Sequence, residues 1–101
     1  MSTTPIIAER YLVYSDKGSD LRREFVVRVR APQLITKADF NFDPGAATCD
    51  VEFDGISIKP ITMHGVDTLH AVAQAVDLDK LLGEMSRKFD FFWPSGEPYF
   101  E

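Results

Sequence analysis

Cys49-Asp50-Val51-Glu52-Phe53-Asp54-Gly55-Ile56-Ser57-Ile58-Lys59 is the stretch that decides the fold. Apolar and acidic side chains alternate up to Asp54-Gly55, a dipeptide strongly favoured in two-residue hairpin turns, and alternation resumes after it. With Asp54 and Gly55 as the turn, Phe53 faces Ile56, Val51 faces Ile58, Glu52 faces Ser57 and Asp50 faces Lys59. Apolar side chains then meet apolar ones and acid meets base, so the register is self-consistent. The returning strand, Ile56 to Met63, contains Pro60, which cannot donate a ladder hydrogen bond and therefore belongs at an edge or a bulge.

Working towards the N-terminus, Glu24 to Arg30 alternates as well. Phe25, Val27 and Val29 predict a core face, and Glu24, Val26, Arg28 and Arg30 a mostly wet one. Ala31-Pro32 ends that strand, because proline lacks the N–H and restricts the residue before it. Ile6 to Tyr14 (IIAERYLVY) is rich in β-branched and aromatic residues, and the turn formers Ser15 to Asp20 join it to Glu24 to Arg30. A fifth, short strand is expected near Phe40.

After Gly65 the apolar spacing becomes helical, with Asp67 or a neighbour as N-cap, predicting a helix from about Asp67 to Lys88. Leu69, Val72, Ala73 and Val76 form one stripe; Leu78, Leu82, Met85 and Phe89 form another. Leu69 and Leu78 are separated by about 900° of helical rotation and so lie on opposite sides. A break near Asp77-Leu78-Asp79, cover by the aromatic tail, or cover by a second subunit would each reconcile the two stripes; a break or tail cover is preferred. The expected architecture is α+β: a four- to five-stranded antiparallel meander with one C-terminal helix packed on one face, forming a single domain over residues 1–101.

Composition limits the function classes. The chain has 101 residues, 45% hydrophobic and 27% charged, which suits a folded domain and not a disordered segment. Cys49 is the only cysteine, so no intrachain disulfide can form; the start of the chain lacks a basic segment followed by a long apolar one. A cytoplasmic protein with no membrane partner is expected. The net charge of −5 repels polyanions and disfavours nucleic acid. Arg22, Arg23, Arg28 and Arg30 are the basic concentration, and Asp50, Glu52 and Asp54 supply complementary cross-strand charge; that reading is preferred to an anion site.

Few residues suggest chemistry. His64, Asp67 and His70 flank the start of the helix, and two imidazoles near a carboxylate could form a small-ligand or hydrolytic pocket, the alternative functional reading. A solvated or capping arrangement is preferred, because the spacing supplies no third metal ligand. Asp39-Phe40-Asn41-Phe42-Asp43 has the two-residue spacing of a calcium loop, but Pro44 stands where that loop needs glycine. Cys49 lies on an inward face, which predicts an inert thiol. The sequence has no phosphate loop, nucleophile elbow or zinc signature, so neither a catalytic residue nor a cofactor is expected. Phe91, Phe92 and Trp93 are hot-spot residue types near the end of the chain, which makes a non-enzymatic interaction or accessory module the leading expectation. Its partner would be another protein or a second copy.

Ile7-Ala8-Glu9-Arg10, Ala31-Pro32, Cys49 to Ile56 and Gly65-Val66-Asp67, followed by Leu69, Ala71 and Ala75, together resemble a family of small bacterial domains with no assigned function. The likeness runs from Ile7 to about Leu82. It implies a bacterial origin and offers no catalytic residues to carry over. His70 stands where that pattern has glutamine, which weakens a catalytic role for it.

Overall fold

The computed structural model describes residues 4–35 and 45–100. Its six strands are β1 (Ile6–Asp16), β2 (Arg23–Arg30), β3 (Gln33–Leu34), β4 (Ala47–Asp54), β5 (Ile61–Gly65) and β6 (Phe89–Phe92); two helices, α1 (Thr68–Ala75) and α2 (Leu78–Glu84), lie between β5 and β6. All pairings are antiparallel, in the order β3-β4-β2-β1-β6, and β5 pairs with β4. Val51 is opposite Val29 on one side and Ile61 on the other, so β2 and β5 flank β4. The long strands β1, β2, β4 and β5 therefore follow one another as a meander, and β6 closes back onto β1. The short strand expected near Phe40 and the Asp39–Asp43 segment lie outside the described residues.

Alternation in β2 and β4 positions the core. Leu12, Phe25, Val27, Val29, Ala47, Cys49 and Val51 are buried and form one core cluster with Ala71, Ala75, Leu78, Leu81 and Leu82 from the helices. Tyr14, Phe25, Phe89 and Phe91 pack edge-on or tilted, with successive ring centroids 5.4–6.1 Å apart.

The hairpin differs from the expected one. Val51 faces Ile61 and not Ile58, and Asp50 faces Thr62 and not Lys59. β2 claims the end of β4: Phe53 pairs with Val27 and Asp54 with Val26, so Asp54 stays in the strand and cannot serve in the turn. Gly55 then turns the chain at φ +94°, where a Cβ would come 2.8 Å from the Glu24 carbonyl oxygen. Pro60 precedes β5 and does not interrupt it, because the ladder resumes only where N–H donors do. A three-residue shift exchanges faces. Ile61 and Met63 turn towards the core, and Thr62 and His64 turn away.

The single helix is also corrected. The chain breaks at Val76-Asp77, where Asp77 caps α2 by accepting from the Lys80 N–H, and Phe89 begins a strand. The break accounts for the two apolar stripes, but of the first stripe only Val72 packs against the core. Leu69 is 78% exposed and Val76 47% exposed, while Ala71 and Ala75 are fully buried. Gly65 explains the reversal: a Cβ there would fall 2.3 Å from the Ala71 nitrogen. The backbones of α1 and β5 approach so closely that only glycine and alanine fit between them, so Leu69 and Val76 point outwards.

Candidate functional site

The residues around α1 form a cap. Asp67 Oδ1 accepts from the His70 backbone N–H at 2.7 Å, and His70 Nδ1 accepts from the Val66 N–H at 3.0 Å. His70 Nε2 lies 2.9 Å from the Gln74 side-chain nitrogen. The imidazole is thus engaged through Nδ1 in holding the helix start. His64 pairs with Thr48 on the outer face of β5 and is exposed. Among the described residues, no cluster of three His, Cys, Asp or Glu side chains could hold a metal ion.

The aromatic tail lies on its own domain. Phe91 is buried opposite Tyr14, and Phe92 lies opposite Val13 with the Arg22 guanidinium 3.8 Å over its ring. Beyond β6 the chain folds back: the Tyr99 N–H donates to the Phe91 carbonyl at 2.9 Å, and Trp93 stacks on Tyr99 at 4.8 Å. The buried Tyr99 hydroxyl donates to Asp79 Oδ1 at 2.6 Å and accepts from Arg10 Nη1 at 2.8 Å. Burial and then the Asp79 hydrogen bond raise the phenol above its ordinary value, opposed by the Arg10 charge. This clasp joins β1, α2 and the tail.

Charge on the outer face is internally matched. Arg28 bonds to Glu9 at 2.7 Å and Asp54 at 2.9 Å, with Glu9 first in holding its guanidinium above the ordinary pKa. Arg30 forks onto both oxygens of Glu52 at 3.0 and 3.1 Å. This is the cross-strand complementarity expected from β2 and β4. Cys49 is 1% exposed, donates to the Arg30 carbonyl at 3.1 Å, and has a thiol pKa raised chiefly by burial.

One surface stands apart from these satisfied clusters, and the sequence reading did not single it out. β1 pairs with β2 from Ile6 to Tyr14, but β6 covers only Val13 to Asp16 on the other side. Among the described residues, nothing pairs with the second edge of β1 from Ile6 to Leu12. Every residue from Ile6 to Tyr11 is exposed. On the inner face, spanning β1 and β2, a cleft of about 100 Å³ lies among Ala8, Glu9, Arg10, Val27, Val29, Val76 and Leu78. A readable signal existed: Glu9-Arg10 interrupts an otherwise apolar strand, as charges do on exposed strand edges. No family model matches this chain, and no match was found among curated proteins or solved structures.

Proposed function

We propose that this protein is a non-enzymatic interaction module that docks a partner protein along the exposed half of β1. The observation that carries the reading is the run Ile6 to Tyr11, exposed throughout and paired on one side only. Ile6, Ile7 and Tyr11 are 41, 49 and 61% exposed, and an open strand edge among apolar side chains is a template for another chain. Of the tail residues, Phe92 and Trp93 border the covered end of the same edge, while Phe91 contributes to the core. A cytoplasmic setting fits a chain whose lone cysteine is a buried free thiol.

The reading is tested by placing a photo-crosslinking phenylalanine analogue at Tyr11 in cells, with the same analogue at Ser57 as control. A discrete protein adduct at Tyr11, absent at Ser57 and lost when Ile7→Lys is added, is expected. Equal adducts at both positions, or none at Tyr11, would overturn it.

A further inference from the structure

We infer that the occupant of this edge is an extended segment of the partner, added as a strand beside Ile6 to Tyr11, with an aliphatic side chain in the adjoining cleft and a carboxylate two residues along facing Arg10. The inference rests on the interaction reading above and specifies the partner's chemistry.

Three features define that chemistry. Beyond the bulge between Ile6 and Ala8, the edge supplies unpaired backbone groups in regular register from Ala8 to Leu12, enough to hold one short strand by main-chain hydrogen bonds. Ala8, Arg10 and Leu12 are opposite Val29, Val27 and Phe25, so they share the inner face, and a strand laid beside them points alternate side chains the same way. The cleft at that face has apolar walls from Ala8, Val27, Val29, Val76 and Leu78, with Glu9 and Arg10 completing its lining. At about 100 Å³ it is smaller than the roughly 150 Å³ apolar cavity that takes a benzene ring, which suits one aliphatic side chain.

Arg10 sets the charge. Arg28 and Arg30 are both neutralised by carboxylates, whereas Arg10 makes no ion pair among the described residues. Its Nη1 is used by Tyr99, and its guanidinium carbon lies 5.3 Å from the centre of the Trp93 ring. Those contacts hold the cation in the cleft lining, where Asp79 shares the Tyr99 hydroxyl with it but forms no direct ion pair. A carboxylate approaching there gains a charge-assisted hydrogen bond that a lysine in its place would forfeit and replace by repulsion.

A second copy of this chain fits less well. Directly opposed residues of an antiparallel pair share a face, so two β1 edges related by a two-fold axis meet about a single residue. Meeting about Glu9 opposes two glutamates, and meeting about Arg10 opposes two arginines. Meeting about Ala8 brings the ladder within two residues to the bulge between Ile6 and Ala8.

The test is an NMR titration of the whole protein, to millimolar concentration, with the capped peptide Thr-Val-Thr-Leu-Thr-Glu-Thr-Val-Thr. Three controls replace Glu by Lys, replace Leu by Ser, or carry N-methyl groups on alternate amides. Shifts and slowed amide exchange confined to Ile6–Leu12 and the cleft are expected, with each control at least fivefold weaker. Arg10→Gln should abolish the preference for Glu over Lys, and Arg10→Lys should retain it. Equal affinity for the Glu and Lys peptides would overturn the assigned chemistry while leaving the interaction module standing. Absence of any shift along Ile6–Leu12, with a persisting Tyr11 adduct, would overturn strand addition alone; absence of the adduct would overturn the module.

Discussion

Gly65 lies where α1 crosses β5, and the position admits no side chain because the obstruction is backbone and not a movable group. Gly65→Ala is therefore expected to cost about 3 kcal/mol, at the upper end of overpacking, read as a lowered urea midpoint. An unchanged midpoint would mean that the helix lies further from the strand. The same close approach ranks the leucines. Leu69→Gln should change stability by no more than about 0.5 kcal/mol, whereas Leu82→Ala should cost about 2 to 5 kcal/mol, because Leu82 is fully buried. Equal costs would contradict the outward stripe. Tyr99 adds a pH signature. Its folded pKa lies above the ordinary value near 10.0, so folding favours the neutral phenol; that contribution is complete below pH 10 and is lost as pH rises through the folded value. Tyr99→Phe should cost about 1 kcal/mol near neutrality and flatten the alkaline decline, measured by denaturation at several pH values.

Caps and edges govern the elements. Asp67 satisfies the start of α1 while His70 turns its own ring back on the Val66 N–H, so Asp67→Ala should destabilise by about 1 kcal/mol in thermal unfolding. No loss would show that the cap is dispensable. The Asp67 cap was legible because an acidic residue preceding a helical stripe has one common role. The inward faces of β2 and β4 were legible for an equally local reason, since a two-residue period admits few alternatives. The hairpin register was not, because β2 competes for Phe53 and Asp54 from outside the hairpin. Nor was β6: Phe89 continues the Leu78, Leu82 and Met85 spacing, and only the open side of Val13 to Asp16, a long-range partner, turns that segment into a strand.

At the scale of the molecule, the sheet is closed at one end of β1 and open at the other. The 11-residue β1 outruns the four-residue β6, and the remaining edge adjoins an apolar cleft and an unneutralised arginine. Sequence showed the components, Ile6, Ile7, Glu9, Arg10 and Tyr11, but their exposure depends on where β6 stops, which no local pattern encodes. The outer-face ion pairs, by contrast, follow from the alternation of β2 and β4 once those strands are adjacent. Residue-resolved amide exchange of the free protein tests this division of β1 most directly. Val13 and Tyr14, paired with β2 on one side and β6 on the other, should both be protected, while Ile6 to Tyr11 should show slow exchange only at the amides turned towards β2. Uniform protection from Ile6 to Tyr14 would mean that the edge is already occupied within the chain, and would contradict the account.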